Sequence, residues 1–175
     1  MTPTTPERAA GLVLARCWDL RVPVDVQSIA GCLRIDVAYE HGMEVSGEVS
    51  LQTGGRPRIL VNAGDSLVRQ RFTIAHEIGH VVLGHIDVAH TVYRDTRQNY
   101  TLGNFDPRER DANYFAAELL MPAEAVRVYA AEEKGATIHT LAERFQVSAT
   151  AMEIRLKTLG ILPPWFSSKT TPAAG

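Results

Sequence analysis

The sequence predicts an α+β fold: a small mixed sheet, a central helix running through the core, a second helix packed on it, and a C-terminal helical hairpin. Three observations predict it. Short apolar segments separated by turn-forming residues occupy the chain up to position 62; a helical stretch that is apolar around most of its circumference spans 66–85; and two further segments after position 105 repeat their apolar residues at helical spacing. With 175 residues, 45% of them hydrophobic and 22% charged, the chain fits one domain, expected over positions 1–165, with a sizeable core. A net charge of −2 gives no broad electrostatic case for binding nucleic acid or a membrane surface.

The elements follow in order. Pro6 to Leu20 and Val24 to Cys32 read as helices, and the alternating run Leu33-Arg-Ile-Asp-Val-Ala-Tyr39 reads as a strand. Glu48 to Gln52 and Arg58 to Asn62 are further strands, separated by Gly54-Gly55, so a small sheet precedes the central helix. Cys17 and Cys32 form no CxxC pair and are too few for a disulfide framework, so buried reduced thiols are expected. The apolar run Ala9 to Ala15 is cut short by Arg16 and Asp19, unlike a signal peptide, and no stretch approaches the roughly 18 apolar residues of a membrane span. A cytoplasmic setting is expected.

Positions 66–85 contain no Pro, have cap candidates in Asp65 and Ser66, and bring Gly84 near their end, as a helix requires. Within them lies His76-Glu-Ile-Gly-His80, an HExxH pattern. Residues i and i+4 share one helix face, so both imidazoles can aim a nitrogen at one ion, and zinc suits that pair. Glu77 lies about 100° further round the helix, placed to act as a general base without being a ligand. Three fixed residues in five also occur by chance, so the surroundings decide. This helix is apolar around most of its circumference, and two histidines and a carboxylate buried in it would be costly unless a metal held them. His85 follows His80 by five positions where an extended HExxHxxGxxH pattern needs six. On a helical projection it points about 180° from His76, as a polar residue at the helix end.

A third ligand is found downstream. Asp106-Pro107 opens a second helix with a cap and a proline in its first turn, and its apolar stripe is Ala112, Phe115, Ala116, Leu119 and Leu120. Glu109 sits within about 60° of that stripe, whereas Asp111 and Glu118 point the other way. Asp106-x-x-Glu109 also matches a capping box, but a carboxylate needed only for capping belongs at the solvated edge. Asn113, one turn beyond Glu109, is placed to hydrogen-bond a liganding histidine. Positions 86–105 read as a polar connection holding His90, Tyr93 and Tyr100, any of which is a candidate donor to a developing oxyanion. Beyond Trp165 the tail, over 166–175, is expected to be flexible.

Three blocks together resemble the ImmA/IrrE metallopeptidases: Gln70-Arg-Phe-Thr-Ile-Ala-His-Glu-Ile-Gly-His80; Glu109-x-x-Ala-Asn113-x-Phe-Ala-Ala-Glu-Leu-Leu-Met-Pro122; and Leu141-Ala-x-x-Phe-x-Val-Ser-x-x-Ala-Met-x-x-Arg-Leu156-x-x-Leu-Gly160. The resemblance runs in order over positions 57 to 162. It implies a zincin-like fold, one zinc held by His76, His80 and Glu109, Glu77 as catalytic base, and endopeptidase activity. It also implies a substrate class, helix-turn-helix (XRE-type) repressors whose cleavage derepresses mobile-element or stress-response genes. Asp111 departs from the Glu of many relatives, and 175 residues leave no room for the sensor-like domain of longer ones. In zincin-like enzymes an edge strand beside the metal helix pairs with substrate backbone; Arg58 to Asn62 is the candidate here, an interior position being the alternative.

Two rival readings remain at this level. Positions 141–160 have the outline of a DNA-binding helix-turn-helix, but the second helix offers only Arg155 and Lys157 as cations, poor provision for phosphate neutralisation. Leu141, Phe145, Met152 and Leu156 instead suit the core of a packed hairpin, so no direct nucleic-acid contact is expected. A catalytically silent protein that binds its partner without cutting it is the other rival, against which stands the complete HExxH and Glu109 set.

Overall fold

Caps written into the sequence set where the helices begin. In the computed structural model, which describes residues 5–86, 92–95, 106–132 and 136–162, helix α1 (Pro6–Cys17) starts with Thr5 accepting the Arg8 N–H and Pro6 in its first turn. Helix α2 (Val26–Cys32) starts where the Asp25 carboxylate accepts the N–H groups of Gln27 and Ser28, two residues later than the apolar run suggests. Strands β1 (Asp36–Glu40), β2 (Gly47–Leu51) and β3 (Pro57–Asn62) lead to helix α3 (Leu67–Val82), capped by Ser66. Strand β4 (Val92–Asp95) follows, then α4 (Pro107–Leu120), capped by Asp106, α5 (Ala123–Glu132), α6 (Ile138–Phe145) and α7 (Ala149–Thr158).

The four strands form one mixed sheet in the order β1-β3-β2-β4, with β1 and β3 parallel and the other two pairings antiparallel. This corrects the expected edge position of Arg58 to Asn62. That strand lies between β1 and β2, bonded on both sides, and Ile59 and Val61 are completely buried. An interior strand cannot lend its backbone to a further chain. Among the described residues the edges are β1 and β4, and β4 falls inside the stretch that reads from sequence as a polar connection. Its four residues show no apolar alternation of their own, and their strand conformation comes from pairing with β2, Tyr93 lying opposite Val49.

Cys17 and Cys32 are joined in a disulfide, with Cα atoms 5.9 Å apart, and Cys32 is exposed. This corrects the expectation of buried thiols. The C-terminal ends of α1 and α2 meet because Ala10, Val13 and Leu14 of one and Val26, Ile29 and Ala30 of the other are drawn into the same core. Among the described residues no helix is long and apolar enough to cross a membrane.

The sheet covers one face of α3 through β2 and β3, α4 packs along another, and α1 lies across α4. At the C-terminal end Leu141, Phe145, Met152 and Leu156 are buried and form the core of the α6–α7 hairpin, turned at Gln146 in the left-handed region (φ 52°). Arg155 is buried as well. Its Nε donates to the Met121 carbonyl at 2.9 Å and its guanidinium pairs with Glu118, tying the hairpin to the end of α4, while Lys157 pairs with Glu153 at 2.8 Å. Glu118 thus turns away from the apolar stripe of α4, as its helical position demands, but meets Arg155 instead of solvent.

Candidate metal centre

From Thr73 to His80 every residue of α3 is buried, and His76, Glu77 and His80 have no exposed surface. That a charged and two polar side chains sit at the centre of the molecule follows from the helix's own pattern, since apolar residues on all its faces demand packing on all sides. The spacing does the rest. With 3.6 residues per turn His76 and His80 stack on one face, their Nε2 atoms 3.0 Å apart.

Close approach of α4 completes the cluster, and Gly79 permits it. A Cβ at position 79 would meet Phe115 Cδ1 at 3.1 Å and the backbone of Ala112 at 3.3 Å, tighter than ordinary van der Waals contact, so glycine eases the two helices to this separation. Glu109, one turn before Ala112 and Asn113, is thereby carried onto the histidines: its Oε2 lies 3.3 Å from His76 Nε2 and its Oε1 3.3 Å from His80 Nε2. Its carboxylate faces the imidazoles, and Asp106 alone of the proposed box caps the helix, accepting the Arg108 N–H at 2.9 Å. His76, His80 and Glu109 form a buried group able to hold one metal ion.

The remaining nitrogens fix which atoms face inward. His76 Nδ1 lies 3.0 Å from Asn113 Oδ1, an acceptor, so it carries the proton and leaves the Nε2 lone pair pointing at the cluster. His80 Nδ1 lies 3.0 Å from His85 Nδ1. Burial, opposed by Glu109 and reinforced by His76, pushes the His80 pKa down to about 4, so the imidazole is neutral at pH 7. Burial raises the Glu109 carboxyl, but hydrogen bonding and charge from His76 and His80 outweigh it and hold the group well below the usual carboxylate range. Those hydrogen bonds need protons on Nε2, whereas the contact to Asn113 needs the His76 proton on Nδ1. The outer contact is the better guide, because neither Glu109 oxygen takes a directed hydrogen bond despite complete burial. Two lone pairs and a carboxylate converging in the core are a donor set that a cation satisfies. Its size also fits: atoms bound about 2.0 Å from a tetrahedral ion stand about 3.3 Å apart.

Glu77 is on the sheet side of α3. Gly47, at the start of β2, is the counterpart of Gly79: a Cβ there would overlap Thr73 Cγ2 and would lie 3.7 Å from Glu77 Oε1. The missing side chain lets β2 pass close to α3, and through the Gly47–Asp95 pairing puts β4 one strand away from Glu77. Of the three oxyanion-donor candidates, Tyr93 lies on β4; His90 and Tyr100 lie outside the described residues, as does the tail from 163 onward.

His85 departs from its helical projection. The helix ends at Val82 with Leu83 as its cap, Gly84 adopts φ +72°, and the chain doubles back with the Gly84 N–H on Val81 O at 3.2 Å and the His85 N–H on His80 O at 2.9 Å. This is the two-bond closure that glycine commonly gives a helix end, and it sets the second residue past the cap against the residue three before it. Gly84 was the available signal. Once the helix stops there, the five-residue spacing from His80 favours contact.

A family model, the IrrE N-terminal-like domain of metallopeptidases, matches residues 30–157. A curated relative, the radiation response metalloprotease IrrE of Deinococcus radiodurans, is 39% identical over 100 residues, which cover 53% of this chain and 28% of that protein. The chain thus spans under a third of that relative's length. The match takes in the whole of α3 and α4, with the His76, His80 and Glu109 cluster between them, and the chain belongs to the IrrE N-terminal-like family of metallopeptidases.

Proposed function

We propose that this protein is a zinc-dependent endopeptidase that cleaves a helix-turn-helix repressor of the XRE type, encoded beside it, and so derepresses mobile-element or stress-response genes. The observation that carries the enzymatic reading is the convergence of His76 Nε2, His80 Nε2 and Glu109 within 3.0–3.3 Å, with Glu77 on the same helix. His76, His80 and Glu109 would hold one zinc. When bound, zinc supplies Lewis acidity, polarising a peptide carbonyl and acidifying water. Glu77, buried on the β2 side of α3, would take a proton from the attacking water and pass it to the leaving amine. Asn113 holds the His76 ring in the tautomer that such binding requires.

An extended substrate segment would add to β4, which among the described residues pairs on one side only and lies one strand from Glu77. The repressor as substrate rests on the likeness of the three sequence blocks to the ImmA/IrrE metallopeptidases, and the Deinococcus radiodurans relative is named a radiation response metalloprotease. That encounter would take place in the cytoplasm. The buried engagement of Arg155 and the Lys157–Glu153 pair support a packed hairpin over a DNA-reading one.

The test is incubation of zinc-loaded protein and of Glu77→Gln with the purified neighbouring repressor, followed by mass spectrometry. The wild type is expected to separate DNA-binding from dimerising fragments and the variant to leave the repressor whole. An intact repressor with both, under inducing conditions in co-expression, contradicts the assignment.

A further inference from the structure

We propose that His85 is a positioning residue for the metal: its Nδ1 lone pair accepts the His80 Nδ1–H, locking that ring in the one tautomer and rotation that present Nε2 to the ion. The inference rests on the reading of His80 as a metal ligand and adds to it a residue outside the HExxH and Glu109 set. His80 Nε2 is 3.0 Å from His76 Nε2 and 3.3 Å from Glu109 Oε1, and Nδ1 is 3.0 Å from His85 Nδ1. A ring that binds a cation through Nε2 keeps its proton on Nδ1, and that proton needs an acceptor in the core. The only ring nitrogen of His85 within reach is Nδ1, so His85 carries its own proton on Nε2. The two rings meet nearly edge to face, with centroids 5.1 Å apart and planes at 64°, which turns the His85 lone pair toward the His80 N–H.

Backbone geometry holds His85 there. The His85 N–H bonds the carbonyl of His80, the same residue its side chain supports, and Gly84 supplies the positive φ that the doubling back needs. The two inward rings have unlike supports: an amide oxygen for His76 and an imidazole nitrogen for His80.

Three variants test this. His85→Phe keeps a ring but removes the acceptor; His85→Asn puts an acceptor oxygen close to the place of Nδ1; His80→Ala is the control for the site itself. Zinc affinity is read by competition with a chromophoric chelator, and the fold separately by thermal unfolding of the zinc-free proteins. His85→Phe is expected to weaken zinc binding about 10–100-fold with no loss of zinc-free stability, and His85→Asn to recover most of it. Unchanged affinity in His85→Phe, equal losses in both variants, or a matching fall in zinc-free stability overturns the proposal. Two-bond nitrogen–proton correlation spectra of the zinc-loaded wild type should show the proton of His80 on Nδ1 and that of His85 on Nε2, and the opposite tautomer at either overturns it too. Retention of zinc by His80→Ala would remove the metal-site reading and this inference with it, whereas loss of zinc in His80→Ala beside full affinity in His85→Phe removes this inference alone.

Discussion

Buried polar side chains occur in two places that look alike by exposure and differ in chemistry. At the end of α4, Arg155 is 7% exposed, and its donors meet a backbone carbonyl and a carboxylate of opposite charge. In the C-terminal half of α3 and at the start of α4, His76, His80 and Glu109 are as deeply buried, yet what they turn toward one another are acceptors. The first arrangement is complete within the chain and holds two parts of the fold together. The second is complete only with a cation. Burial alone does not mark a functional site; burial of acceptors facing acceptors does.

If that distinction is right, changes at the two places should separate function from stability. The largest effect belongs to Glu77→Gln, which is expected to retain metal and fold and to lose turnover by about 10² to 10⁴-fold, because an amide cannot take the proton. Comparing metal content and peptide cleavage in the same preparation checks it, and near-wild-type turnover would remove Glu77 from the mechanism. Gly79→Val comes next. It forces α3 from α4 at the Ala112 backbone, with an expected loss of about 3 kcal/mol by denaturant unfolding and a parallel weakening of metal binding, since Glu109 moves with its helix.

Arg155→Ala sharpens the contrast from the other side. It should cost about 2 kcal/mol, from the unpaired Met121 carbonyl and Glu118, while chelator competition shows metal affinity unchanged. The smallest effect is local to α2. Asp25→Ala removes a cap and is expected to cost about 1 kcal/mol at neutral pH. Hydrogen bonds from Ser28 lower the Asp25 pKa on folding, so its contribution is present above the unfolded value of 3.8 and fades as pH falls through the folded one. Urea titrations of wild type and variant should therefore converge as the pH drops below 3.8.

Local pattern carried the sequence reading as far as local forces reach. Ser66 and the apolar stretch behind it located α3, and helical phase alone set Glu109 and Asn113 inward while turning Glu118 away. Interactions between distant segments were not legible. The place of β3 inside the sheet depends on β1 and β2 choosing its two sides, and β4 exists because β2 offers it an edge. The Cys17–Cys32 bond depends on where two helix ends meet in the packed core. His85 is the instructive case, because Gly84 carries the signal, and helical projection ceases to apply to His85 once that glycine ends the helix.

The central claim is that His76, His80 and Glu109 hold a single metal, and zinc stoichiometry across the acidic residues of α4 tests it most directly. Wild-type protein, Asp111→Ala and Glu118→Ala are expected to bind one zinc per chain, and Glu109→Ala to lose it while its zinc-free form stays folded. Stoichiometric zinc of unchanged affinity in Glu109→Ala, with loss in Asp111→Ala or Glu118→Ala instead, would contradict the account.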